Sequence, residues 1–218
     1  MANIEPNNWS CVVVGRWNPA ILTPKGIAQH IFSREGEFPI EVMVPLDAQG
    51  PPKVRIDGLS VLANFERLVI ECEDSWVSLE SAREYCCKAI DALPLTPLTA
   101  AGFNLRFKLS DPESPFVDSL VLPIDDKISE NHLTIKGREI HRSVKWENGL
   151  INIQISRIQA DVYNILLNFD KKSSNSEDLK SWLSTSIEDV KTIATKILCS
   201  ILEVCEEGDL ECLIQQGQ

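Results

Sequence analysis

The sequence has no glycine-rich phosphate loop: neither GxGxxG nor a GxxxxGK pattern followed by Ser or Thr occurs. Glycine itself is scarce, 10 residues of 218, and no two glycines stand close together between a strand and a helix. Backbone N–H groups then have no loop in which to converge on a phosphate, so a nucleotide-binding fold of the common kinds is not expected. There is no GxSxG elbow, and no cysteine carries the surroundings of a known nucleophile. The three histidines, His30, His132 and His141, are too irregularly placed to supply a matched ligand set, so neither a metal nor a cofactor is expected. Basic residues are the minority, 21 against 32 acids, for a net charge of −11. General nucleic-acid binding is not expected of such a chain, because phosphate recognition relies on clustered Lys and Arg.

Long apolar runs are missing too. Stretches such as 11–15 and 165–167 fall far short of the roughly 18 residues of a membrane-spanning helix. The first basic residue is Arg16, so the opening lacks the basic start and apolar run of a secretory leader. Seven cysteines stand at 11, 72, 86, 87, 199, 205 and 212, with no CxxC pair. An odd count without framework spacing predicts reduced thiols and a soluble, cytoplasmic protein. Cys86 falls on an apolar helix face as a small core residue, and the spacing of Cys199, Cys205 and Cys212 reads as packing.

What is present reads as α+β. The β-branched run 9–16 predicts a buried strand, and Thr23-Pro24 a helix start, with Gly36 as its stop. Residues 39–72 predict three strands, and 76–93 an amphipathic helix ended by Pro94. A strand at 98–109 places Phe103, Leu105, Phe107 and Leu109 on one side and Asn104, Arg106 and Lys108 on the other. Residues 110–116 read as a linker, 117–122 as a short strand, and 133–146 as a longer one with a bulge at Gly137. Asn148-Gly149 predicts a type I′ hairpin. Ile151, Ile153 and Ile155 alternate with Asn152, Gln154 and Ser156, giving one dry and one wet face, and Tyr163, Ile165, Leu167 and Phe169 repeat the pattern.

After the polar break 173–176, one long helix is predicted to about Cys205. Leu183, Ile187, Val190, Ala194, Ile197, Ile201 and Val204 form a heptad seam on it, but Ile193, Leu198 and Leu202 widen the stripe. A stripe that wide belongs to a helix lying on its own sheet, with its outer edge a candidate homodimer contact. The sequence thus predicts a largely antiparallel sheet in two halves, each three strands then a helix, covered by two or three helices. Their order suggests duplication without a residue-level repeat. The expected units are 1–110, 111–205 packed against it, and an acidic tail at 206–218.

The β–α opening, the segment AAGFNLRF (100–107) and the strand NILLNFD (164–170) before a terminal amphipathic helix resemble a group of sporadically distributed bacterial proteins of unknown function. The resemblance implies an intracellular prokaryotic origin and no activity.

Two features single themselves out. Gly15-Arg16-Trp17-Asn18-Pro19 sits where a buried strand leaves the sheet, and Arg16, Trp17 and Asn18 suit a partner or ligand contact. Arg106 joins them if its strand neighbours the first. The tail is the second: no basic residue follows Lys196, but five acids do. The first expectation is a non-enzymatic interaction or accessory protein that binds another macromolecule, a protein partner, through a sheet edge, the Arg16–Asn18 turn or the tail. The alternative is a small-molecule-binding protein with a pocket between sheet and helices. An enzyme of unrecognised type comes third.

Overall fold

The computed structural model describes residues 3–36, 39–45, 51–159 and 161–206. It is α+β: one largely antiparallel open sheet of ten strands, with six helices. The elements run β1 (Asn3–Pro6), β2 (Ser10–Gly15), α1 (Pro24–His30), β3 (Glu41–Met43), β4 (Lys53–Ile56), β5 (Leu59–Ala63), β6 (Arg67–Glu71), α2 (Trp76–Ala92) and β7 (Leu98–Ser110). There follow α3 (Ser114–Ser119), α4 (Pro123–Glu130), β8 (Glu139–Trp146), β9 (Gly149–Gln159), β10 (Val162–Lys172), α5 (Ser176–Leu183) and α6 (Ile187–Thr195). A wider π turn, Lys196–Ile201, continues α6.

The sheet order is β3-β4-β5-β6-β2-β7-β10-β9-β8, with β1 paired to the far end of β7. Read outward from the central β2–β7 pair, the two sides match. Each central strand is followed by helix, then an antiparallel meander, and the last strand of the meander returns to pair with that central strand. A helix comes next in both cases, α2 after β6 and α5 after β10. The two sides are not identical, since the first meander has four strands, β3 to β6, and the second three, β8 to β10. The residue-110 boundary is no gap in the sheet, because β7 pairs with β10 along the whole of β10.

Helices cover one face. Thr23 caps α1 through its hydroxyl, which accepts from the Gly26 N–H at 3.2 Å. Ser75 does the same for α2. α2 packs on β2 and β6, and α5 on β7 and β10. The layer between is aromatic: Phe103 stacks on Phe169 at 4.6 Å, and Trp182 of α5 meets Trp146 at 5.4 Å. Trp9 lies 4.7 Å from Trp76 and 5.7 Å from Phe107.

The structure corrects several expectations. Residues 39–72 hold four strands. Residues 114–119 are helix, where a short strand was predicted from 117, and 133–138 form no strand. Phe116 and Leu120 pack into the core, Phe116 edge-on to Tyr163 at 5.5 Å, while Leu122, Ile124 and Leu133 beyond them stay exposed, so the apolar pattern of this stretch does not follow one face. α1 ends at His30, ahead of Gly36. The predicted long helix breaks at Ser184–Ser186 into α5 and α6. Only α5 lies on the sheet; α6 packs on α2. The seam residues Leu183, Val190, Ala194 and Ile197 are buried within the chain all the same. The β8–β9 hairpin closes with Trp146 opposite Gly149, and the positive φ, 49°, falls on Glu147. Gly149 is needed for another reason: a Cβ there would stand 2.7 Å from both the Asp170 carbonyl and the Trp182 ring. Of the tail expected at 206–218, residues 207–218 lie outside the described residues.

At Gly102 on β7, a Cβ would come 2.0 Å from the Phe169 carbonyl oxygen, a backbone atom that cannot step aside. Gly102→Ala should therefore cost about 3 kcal/mol, lowering Tm by roughly 10 °C in a scanning calorimeter. An unchanged melt would refute this close packing.

Candidate functional site

The face without helices is polar. Register places Ser143, Asn152, Asn168, Asn104 and Ser10 in one row across β8, β9, β10, β7 and β2. Ser143 Oγ donates to Asn152 Oδ1 at 2.6 Å, and Asn152 Nδ2 to Asn168 Oδ1 at 2.8 Å. Asn168 Nδ2 then donates to Asn104 Oδ1 at 2.9 Å, and Asn104 Nδ2 to Ser10 Oγ at 3.2 Å. Asn and Ser can both donate and accept, which is what a continuous ladder requires. Glu71 of β6 stands opposite Ser10 and pairs with Lys53 at 2.5 Å.

Over the β2 end of this row is a hollow of about 280 Å³, lined among others by Asn8, Arg67, Glu71, Asn104 and Arg106. Arg106 is half-buried, and Nη1 donates to the Asn8 carbonyl at 2.9 Å. Burial pulls its pKa below the ordinary arginine value, while Glu71 opposes the shift. On β10, burial raises the Asp170 carboxyl above its usual range, against the pull of Lys172.

The residues expected to act together are separated. β7 does neighbour β2, but Ser10 pairs with Asn104 and Gly15 with Leu98. Arg106 therefore lies beside Asn8 and Arg16 beside Pro97, roughly 25 Å apart along the strands. Trp17 is 1% exposed, and its indole N–H donates to the Val13 carbonyl at 3.0 Å. It is a core residue, not a contact surface. Asn18 shapes the turn, accepting from the Ala20 N–H through its side chain and from Ile21 and Leu22 through its carbonyl. Of the four residues, Arg16 and Asn18 remain exposed.

No family model, curated protein or solved structure matches the chain.

A second cavity, of about 370 Å³, opens between α2 and the α5–α6 junction, lined among others by Glu80, Arg83, Glu84 and Cys87. Arg83 is 5% exposed and has no carboxylate partner among the described residues. Its Nε donates to the Leu183 carbonyl at 2.6 Å and Nη2 to that of Thr185, with the guanidinium 5.0 Å from the centre of the Phe103 ring. Nη1 is buried and has no hydrogen-bond partner among the described residues. Burial lowers the Arg83 pKa. Burial also raises those of Cys72, Cys86 and Cys87, which keeps these thiols protonated and poor as nucleophiles. Among the described residues, no group of three or more His, Cys, Asp or Glu converges to hold a metal, and no helix is long and apolar enough to cross a membrane.

The third feature is the sheet edge at β8, eight residues long. Trp146 closes a two-residue hairpin with Gly149, and the Arg157 N–H bonds to the Arg138 carbonyl at 3.2 Å. Antiparallel pairs alternate, so residues 140, 142, 144 and 146 direct their backbone groups to β9, and 139, 141, 143 and 145 direct theirs outward. The His141 carbonyl accepts from the neighbouring Arg142 side chain. Residues 136–157 carry five basic residues and two acids in a chain of net charge −11, which leaves −14 elsewhere. Arg138 is paired to Asp125 at 2.8 Å. Among the described residues, Arg142 and Lys145 form no ion pair.

Sequence reading identified Asn104 and Asn152 as wet-face residues but missed the ladder, the Arg83 cavity and the β8 edge. The basic cluster at 136–157 was the available signal for the last.

Trp17→Ala should cost about 3–5 kcal/mol, and Arg16→Ala less than about 0.5 kcal/mol. Urea unfolding of the two single variants separates them; equal midpoints would show that Trp17 does not anchor the turn.

Proposed function

We propose that the protein is a non-enzymatic interaction protein that accepts an extended acidic segment of a protein partner along β8. The observation that carries this reading is an eight-residue edge strand whose outward backbone groups have no strand partner among the described residues, set in a basic segment of a chain of net charge −11. An added strand would satisfy those donors and acceptors, and Arg142 and Lys145 would favour acidic side chains. Charged residues on an edge also discourage indiscriminate pairing between strands, so the same cations that invite an acidic partner repel other copies of this edge.

Selection from an unbiased library of displayed peptides tests the reading. The enriched peptides should be extended and rich in Asp and Glu. His141→Pro removes an outward N–H, a place where proline is tolerated on an edge strand, and should weaken binding at least roughly tenfold, about 1.4 kcal/mol. Arg142→Glu with Lys145→Glu should abolish it. Peptides indifferent to both changes, or no enriched peptide, would overturn the proposal.

A second reading, a small-molecule-binding protein, rests on the buried Arg83 Nη1 beside the 370 Å³ cavity. The N-terminus of α6 on the same wall has no side-chain cap, so its N–H groups also favour an anion. Glu80 and Glu84 face the cavity as well, which selects a small molecule carrying both a carboxylate and an amine. Free amino acids at millimolar concentration should then raise Tm by a few degrees, and Glu84→Gln should reduce the shift. No shift with any amino acid would discard this reading.

A further inference from the structure

Six residues apart on a straight α-helix, two side chains point roughly 120° away from each other and lie about 9 Å apart along the axis. Cys199 and Cys205 have that spacing, yet their Sγ atoms are 2.6 Å apart. The chain brings them together by abandoning the α-helix. Leu202 N–H bonds to the Ile197 carbonyl at 2.9 Å, one residue wider than the α pattern, and Val204 N–H bonds to the Leu198 carbonyl at 3.0 Å. Glu203 takes a positive φ of 53°, which turns the chain back, and Val204 is buried at 4% exposure. Cys205 is carried onto the side of the turn that holds Cys199. Both residues are half-buried, so a small oxidant can reach them.

We propose that Cys199 and Cys205 are a reversible oxidation site that closes to an intramolecular disulfide when the protein meets a peroxide. One cysteine, as thiolate, attacks a peroxide oxygen; the O–O bond breaks, a sulfenic acid forms, and one water leaves after protonation. The second sulfur attacks the sulfenic sulfur; the S–S bond forms, the S–O bond breaks, and a second water leaves. Two electrons pass from the sulfurs to the peroxide, and a dithiol reductant returns them by exchange. Close approach of the two sulfurs before oxidation favours this closure over further oxidation of either one. The link would tie residue 205 to the π turn and fix the point from which the acidic C-terminal residues depart.

The full chain, reduced with dithiothreitol and desalted, is exposed to a small excess of hydrogen peroxide without denaturant. Intact mass should fall by about 2 Da. Cleavage after Glu203 and Glu211 separates all three C-terminal cysteines, so a 199–205 link survives digestion as a joined pair of peptides. Closing this short loop should raise Tm by roughly 5 °C, and dithiothreitol should reverse the rise. Cys199→Ser and Cys205→Ser should each abolish mass loss and stabilisation, and Cys212→Ser should keep both. A link involving Cys212 or another cysteine, oxygen addition without a link, or an unchanged mass would each overturn the proposal.

Discussion

Everything in this molecule is arranged around the pairing of β7 with β10. β7 is the longest strand, thirteen residues, and it is paired on both sides, with β1 and β2 along one edge and β10 along the other. Without that pairing the sheet would divide into β3-β4-β5-β6-β2-β7 and the three-stranded β10-β9-β8. The contact at Gly102 is what lets the strands meet closely, since any side chain there would run into the Phe169 backbone. The stacked rings of Phe103 and Phe169, one register step away, then form the floor on which Trp182 and Trp146 sit.

The one-sided cover follows from the same sheet. The β6-to-β7 connection, through α2, and the segment after β10, through α5, both lie over the dry face. The second face is left to polar side chains, and their hydrogen-bonded row keeps buried Asn104 and Ser10 satisfied where no helix reaches. Arg83 joins the two halves of the cover: it belongs to α2, but its guanidinium is held by carbonyls of the α5–α6 junction and by the Phe103 ring. A cation held by carbonyls and a ring fixes that junction, with no carboxylate and no partner for Nη1 among the described residues.

Charge is distributed unevenly over this frame. Residues 6–34 hold three cations and no acid, and 136–157 hold five cations and two acids, so two segments carry a surplus of cations; the second lies next to an edge with outward backbone groups. Local potential at that edge is therefore more positive than the net charge of the whole chain suggests.

Much of the fold was legible in the sequence because its signals are local. Period-two alternation located β7, β9 and β10, and Thr23 and Ser75 sit at the ends they cap. Local signals failed where buried and exposed apolar residues follow no single period, as at 117–138, or where one stripe serves two neighbours, as in α5 and α6. The polar alternation of Asn104 and Asn152 was visible, but a residue's place in a row depends on register, which no single strand encodes. Arg16, Trp17 and Arg106 were legible as unusual residues; only the register of β2 on β7 decided that they stand at opposite ends of a strand pair. Cys199 and Cys205 make the same point: their spacing denies contact in a helix, and it is the chain reversal at Glu203, stabilised by burial of Val204, that brings the sulfurs together. Composition, periodicity and capping determined which elements form. Which side chains meet was decided by tertiary structure alone, because it depends on distances between residues that are remote or wrongly phased along the chain.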